Sequence, residues 1–234
     1  MLVFLSENAK MDIAFILDSS GSIGYRNWNS VIRFIVSYLE RHYVGNSTRV
    51  MLVNYGHFMK VPIQLGQYTG IASLRDKIQG DVFFMAAYSS KTADALRDTL
   101  TALRNKGRRD AQQIAMVFTD GQTTKSWDKS GFRLVREQAL QMRASGIHLI
   151  SIGVGSTIDK RQLTAIASYP KLQNTFNIYQ VELMKRIEES IRGLFSSKSN
   201  YIANIFSFIS KLLHPKCIAD IYICCFLCLA HLLY

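Results

Sequence analysis

The sequence predicts an α/β protein: a doubly wound, Rossmann-like, mostly parallel six-stranded sheet with one antiparallel edge strand and helices on both faces. Three observations predict it. Uninterrupted apolar runs alternate with segments of helical periodicity, as expected of strands covered on both faces. Only one pair of strands is joined too tightly for a crossover, so a single hairpin interrupts a parallel order. Finally, two of the apolar runs, Ile13–Leu17 and Ile114–Phe118, are each followed closely by an aspartate, Asp18 and Asp120. In open α/β sheets, that is where ligands bind.

The elements follow in order. Asp12–Asp18 is the first strand, and Trp28, Val31, Ile32, Ile35, Val36 and Leu39 then recur at helical spacing through about Tyr43. Thr48–Tyr55 and Phe58–Leu65 are strands joined near Gly56 and His57, a hairpin. Pro62 has no N–H to give a ladder and sends the second strand to the sheet edge. Helices over Ile71–Ile78 and Thr92–Arg104 precede the strand Gln113–Thr119, a helix over Ser130–Ala144 and the strand Ile147–Val154. A short helix over Lys160–Ser168, a strand over Thr175–Tyr179 and a helix over Val181–Phe195 complete the body.

The 234 residues divide into an N-terminal extension (1–11), a domain (12–197) and a hydrophobic C-terminal tail (198–234). At 48% hydrophobic residues the domain can bury a core. Lys and Arg outnumber Asp and Glu by 28 to 17, a net charge of +11. From Tyr201 onward the tail carries only Lys211, Lys216 and Asp220, so the excess belongs to the body. Such a body favours acidic partners (anionic glycans, acidic protein patches, nucleic acid, membrane surfaces) without choosing among them. All four cysteines, Cys217, Cys224, Cys225 and Cys228, lie in the tail, so no disulfide framework holds the body. Ile202, Ile205, Phe206, Ile209, Leu212 and Leu213 follow helical spacing, and the apolar stretch Cys217–Tyr234 is just long enough to span a bilayer. Membrane association, packing on the body and a non-native end all stay open for this tail. Met1–Leu5 is too short for a signal-peptide core, while Asn46-Ser47-Thr48 is an N-glycosylation sequon in a loop.

The chemistry gathers at three loops. Asp18-Ser19-Ser20-Gly21-Ser22 puts one carboxylate and two hydroxyls at alternate positions where a strand ends. Asp120 ends a second strand, and Ser90 lies in a hydroxyl-rich loop opening a helix. Hard oxygens of this kind suit Mg²⁺, with Mn²⁺ or Ca²⁺ as alternatives. Either aspartate loop alone reads more readily as a capped turn. All three together point to one ligand cradle.

With these loops the chain resembles the von Willebrand factor type A domain, whose metal-ion-dependent adhesion site combines a D-x-S-x-S loop, a threonine from a second loop and an aspartate from a third. Residues Met11–Gly24 look like its extracellular, collagen-type branch, and the resemblance runs from Asp12 to about Phe195. It implies metal ligation by Asp18, Ser20, Ser22, Ser90 and Asp120, with the aspartates partly through water. It also implies a Mg²⁺-dependent adhesion or matrix-binding module, with a partner's Glu or Asp completing the coordination. Ser90 stands where the family has Thr, and Met85-Ala86-Ala87-Tyr88 replaces the family's glycines. Serine lacks the methyl that stiffens χ1, so a metal affinity below the family's norm is expected. The same resemblance implies an extracellular location. The missing signal peptide leaves open the alternative of an intracellular adaptor in a multiprotein assembly.

An enzyme is not expected. Ser20 stands where aspartyl-phosphate phosphatases need a second aspartate, no phosphate-binding G-x-x-x-x-G-K-[ST] loop is present, and Gly153-Val154-Gly155 is too short for a dinucleotide fingerprint. None of the five histidines has metal spacing or a nucleophile partner in sequence. A second binding surface is the turn carrying Arg104, Lys106, Arg108 and Arg109, which enters its strand at the amino end and so lies opposite the metal crevice. The turn reads first as a solvated loop; the ligand it would otherwise take is an anionic glycan, by counterion release. Nucleic acid is disfavoured because no aromatic residues alternate with the charges.

Overall fold

The computed structural model describes residues 10–43, 45–123 and 131–195. The N-terminal segment 1–9, the tail with its amphipathic stretch, apolar segment and cysteines, and the first residue of the predicted helix at Ser130 lie outside the described residues. The chain divides after Ile187 into two units. Residues 183–195 are helical, beginning in the first unit and supplying all that is described of the second.

Six strands form the sheet: β1 (Met11–Asp18), β2 (Thr48–Tyr55), β3 (Met59–Ile63), β4 (Gln112–Thr119), β5 (His148–Gly153) and β6 (Thr175–Asn177). Their order is β3-β2-β1-β4-β5-β6. All neighbours pair in parallel except β2 and β3, whose hairpin turns at Gly56 and His57. This is the predicted architecture, with the Pro62 strand on the edge. Both edge strands are shorter than the sequence suggests, because apolar pattern continues past the last ladder hydrogen bond.

Helices α1 (Tyr25–His42), α2 (Ile71–Asp81), α3 (Thr92–Lys106), α4 (Gly131–Ala144) and α5 (Lys160–Ile166) connect the strands. The period-two alternation of a strand sorts its side chains between two cores. Ala14 and Ile16 of β1 pack with Met51, Val53, Ala115, Val117 and Leu149 beneath α3, α4 and α5. Phe15 turns to the other face, edge-on to Tyr38 of α1 and beside Phe118 of β4. Every residue of β1 is buried, as a central strand requires.

That includes a charge, Asp12. Its carboxylate accepts from the Arg108 backbone N–H at 2.6 Å and from Arg108 Nε at 2.9 Å. The same guanidinium donates to the carbonyls of Met11, Asn46 and Ser47 at 2.8–3.0 Å. Arg108 therefore departs from the sequence expectation: it is a structural clamp joining the start of β1, the turn before β2 and the turn before β4. It is withdrawn from the basic turn because a buried carboxylate needs a paired, fully hydrogen-bonded cation. Arg104, Lys106 and Arg109 remain exposed, Arg104 donating to Ser145 Oγ and Lys106 to Gln64 Oε1. Asn46 is exposed in the 3₁₀ turn Gly45–Ser47.

Replacing Asp12 by Ala leaves the Arg108 guanidinium partly buried without its counterion. Urea unfolding of Asp12→Ala is expected to show a loss of about 3–5 kcal/mol, against a loss near zero for Arg109→Ala on the exposed side of the same turn.

Candidate metal centre

Strand order reverses between β1 and β4, where the chain winds outward to either side. A crevice opens there beyond the carboxyl ends of the two strands. Asp18 ends β1, Asp120 follows β4, the loop after β1 carries Ser20 and Ser22, and the loop before α3 brings Ser90 across from the other side. The structure gathers all five residues at this crevice. Asp18, Ser20, Ser90 and Asp120 are buried, whereas Ser22 is exposed and marks the open side.

Hydrogen bonds fix the cradle. The Ser20 N–H donates to Asp18 Oδ1 at 3.0 Å, closing a turn on itself. Ser90 Oγ donates to Asp18 Oδ2 at 2.9 Å, and Thr119 Oγ1 donates to the same oxygen at 2.8 Å. Ser20 Oγ and Ser22 Oγ lie 3.1 Å apart. Gln122 N–H donates to Asp120 Oδ1 at 2.8 Å, but Asp120 Oδ2 is buried with no partner among the described residues. Burial pushes the Asp18 carboxyl above the ordinary carboxylate range, aided by the Asp120 charge and opposed by the bonds from Ser20 and Thr119.

Thr119, Thr92 and Tyr55 belong to this network and escape a reading of the sequence. Leu17 lies beside Phe118 in the β1–β4 register, so the next residues, Asp18 and Thr119, meet. Asp18 likewise lies beside Tyr55 of β2. Tyr55 donates to Thr92 Oγ1 at 3.2 Å, and Thr92 Oγ1 is 3.2 Å from Ser90 Oγ. Burial and the Asp18 charge hold the Tyr55 phenol well above its usual range, so it stays a donor. A polar residue at the end of an apolar run was the only available signal for Thr119.

The second loop, where the chain lacks glycines, is held by backbone contacts. Gly21 N–H donates to Ala87 O at 2.7 Å and Ala87 N–H to Ser19 O at 3.0 Å, a short bridge between the two loops. Met85 N–H donates to Ser19 Oγ at 2.6 Å. Ala86 adopts φ 48°, the left-handed region that glycine prefers. From the far side the β2–β3 hairpin presses in: a Cβ on Gly56 would lie 2.4 Å from the Ala87 Cβ. His57 beside it sits 3.1 Å from Ser89 Oγ through Nδ1 and 2.9 Å from the Tyr88 hydroxyl through Nε2.

The donor set fits a small hard cation. Two carboxylates share a buried crevice, and among the described residues neither pairs with a Lys, Arg or His. The serine separation of 3.1 Å is near the about 2.9 Å edge of an octahedron with Mg–O of 2.0–2.1 Å. Among the described residues no three His, Cys, Asp or Glu gather as a metal site; the donors present are the two carboxylates and the serine hydroxyls.

Two substitutions test the second loop. Ala86→Gly relieves the left-handed backbone and is expected to raise stability by roughly 0.5–1 kcal/mol. Gly56→Ala drives a methyl into Ala87 and is expected to lower it by about 1–3 kcal/mol. Thermal unfolding of both variants, monitored by circular dichroism, reads the two signs.

Comparison with known proteins follows the same line. The von Willebrand factor type A domain model matches residues 12–191. The collagen alpha-1(XXI) chain of Xenopus laevis is 30% identical over 204 residues, covering 83% of this chain and 20% of that protein. Matrilin-1 of Mus musculus is 30% identical over 199 residues, covering 82% of this chain and 38% of matrilin-1. The chain therefore spans a minor part of the length of either relative. The solved structure of manganese-loaded Plasmodium vivax TRAP protein superposes with a TM-score of 0.61 at 21% identity, over 77% of this chain and 72% of that one, a likeness of fold. The chain belongs to the von Willebrand factor type A domain family.

Proposed function

We propose that this chain is a Mg²⁺-dependent adhesion or protein-binding module of matrix or cell-surface type, and that a partner's Glu or Asp side chain completes its metal site. The observation that carries this reading is the buried Asp18–Asp120 pair, which no Lys, Arg or His among the described residues neutralises and in which Asp120 Oδ2 has no partner among them. Buried anions are stable only when neutralised or hydrogen-bonded. Ser20, Ser22 and Ser90 would supply neutral hydroxyls, and Asp18 and Asp120 would act directly or through water. Two carboxylates balance a divalent cation without excess, so an outside carboxylate would still be attracted to it. Mn²⁺ suits the same donors, and Ca²⁺ fits less well because it takes six to eight oxygens.

The relatives support the setting: a collagen chain and matrilin-1 are matrix proteins by name, and the TRAP structure carries manganese. An extracellular or cell-surface location is part of the proposal. So is the absence of catalysis. The His57–Ser89 contact has the Tyr88 hydroxyl, not a carboxylate, on the second imidazole nitrogen, and its consequence is to brace the loop that presents Ser90. Tyr88 and Phe58, 83% and 71% exposed, would meet the residues flanking the partner's carboxylate.

Isothermal titration of Mg²⁺ into chelator-treated protein tests the site. Saturable binding is expected for the wild type, none for Asp18→Ala or Asp120→Ala, and at least about tenfold weaker binding for Ser90→Ala. At a hundredfold excess over Kd the metal should add about 2.7 kcal/mol to stability. No heat of binding up to about 10 mM Mg²⁺ in the wild type would remove the metal-dependent reading.

A further inference from the structure

We propose that Thr123 and Gln162 are positioning residues for the hydroxyl cradle. A one-way row of hydrogen bonds runs from Gln162 through Thr123, Thr92 and Ser90 to Asp18 and holds the Ser90 loop against the Asp120 loop. The inference rests on the metal-dependent reading above and names two residues that would serve the site without touching the cation.

The row is continuous. Gln162 Nε2 lies 2.6 Å from Thr123 Oγ1, and Thr123 Oγ1 lies 3.0 Å from Thr92 Oγ1. Thr92 Oγ1 is 3.2 Å from Ser90 Oγ, which is 2.9 Å from Asp18 Oδ2. Chemistry gives the row its direction. An ionised carboxylate only accepts, so Ser90 gives its one hydroxyl proton to Asp18 and must accept from Thr92. With its own proton committed to Ser90, Thr92 must accept from Thr123, as it does from Tyr55. Thr123 must then accept from residue 162, and the Gln162 amide nitrogen is the donor that closes the row. An ionised carboxylate or an apolar side chain could not take that place.

Placement decides what the row does. Thr123 follows Asp120 by three residues and Thr92 follows Ser90 by two, so their contact ties together two of the loops that form the cradle. Gln162 is 2% exposed on α5, and α5 is itself fastened to the Asp120 loop. The Asp159 N–H donates to Asp120 O at 2.8 Å, and the Asp159 carboxylate caps α5 by accepting from the Arg161 and Gln162 N–H groups. The amide is thus delivered from a capped helix. One amide and three hydroxyls satisfy one another along the row, the condition under which a polar network fixes a single geometry. Contacts behind a metal's ligands orient those ligands and govern affinity without bonding the metal. A cation held between Ser90 and Asp120 would respond to any change in the spacing of their loops.

The test is isothermal titration of Mg²⁺ into the chelator-treated full chain, for wild type, Thr123→Val, Thr123→Ser, Gln162→Met and the double variant T123V/Q162M. Val keeps the shape of Thr without its hydroxyl, and Met keeps the length of Gln without its amide. Thr123→Val and Gln162→Met are each expected to bind Mg²⁺ about tenfold or more weakly. Thr123→Ser keeps the hydroxyl and should bind within about threefold of wild type. Because the two residues act in series, the double variant should fall within about twofold of the weaker single one. Gln122→Ala removes a contact of the same loop that lies off the row, the Gln122 Nε2 bond to Thr157 O at 2.8 Å, and should change affinity by less than about twofold. Melting in EDTA separates positioning from plain bracing. A lower melting temperature for Thr123→Val with wild-type Mg²⁺ affinity would overturn the proposal. Additive losses in the double variant, failure of Thr123→Ser to restore binding, or an equal loss in Gln122→Ala would overturn it too. Absence of Mg²⁺ binding in the wild type would remove the metal-dependent reading and the row's role together. Wild-type binding that persists in both single variants would remove the row's role alone.

Discussion

The register of β1 against β4, with Leu17 beside Phe118, sets Asp18 next to Thr119 and brings Asp120 into the same crevice. A slip by one residue would turn every side chain of β1 to the opposite face. It would bury Ile13, Phe15 and Leu17 in the wrong core and take the Asp18 carboxylate away from Thr119. The hydrophobic sorting of the two faces is therefore also what positions the polar cradle. At the other end of the same strand, the Asp12–Arg108 clamp ties β1 to the turns before β2 and β4. The centre of the sheet is thus held at one end by a satisfied ion pair. At the other end it stops on two carboxylates that no side-chain cation among the described residues satisfies.

That contrast separates structure from function in physical terms. Asp12 and Asp18 are both acids on a fully buried strand, yet among the described residues only Asp12 is given a cation. Asp18 is held by hydroxyls and one backbone N–H, with burial and Asp120 working against its ionised form. Natural chains accept such local cost chiefly at functional sites. The second loop carries a further cost in the left-handed Ala86, compensated by the backbone bridge to the first loop and by the hairpin packed against Ala87. Serine in place of threonine at position 90 is held by a dense hydroxyl network through Thr92 and Tyr55.

The excess positive charge is likewise distributed by the fold. Of the cations in the turn before β4, Arg108 is consumed internally, and the others are exposed at the end of the sheet away from the crevice. A second set far apart in sequence, Arg136, Arg143, Arg161 and Lys171, converges between α4 and α5, where no acid among the described residues lines the groove. The chain so presents a carboxylate-lined cradle and a cationic groove as electrostatically opposite surfaces.

Much of this was legible in the sequence. The alternation of apolar runs with helical periodicity set the element order, and the tight join at Gly56 with Pro62 placed the antiparallel edge. Strands running into Asp18 and Asp120 marked the crevice, because strand-end polarity is a local property that period and composition carry. What only the tertiary structure decided depends on contacts between distant segments: Thr119, Thr92 and Tyr55 around Asp18, the withdrawal of Arg108 to Asp12, the left-handed Ala86 braced by Gly56, and the meeting of Arg136 with Arg161. Hydrogen-bond partners and charge balance are settled by register and packing across many residues of intervening chain. A linear reading sees which residue types are present but not which of them are already paired.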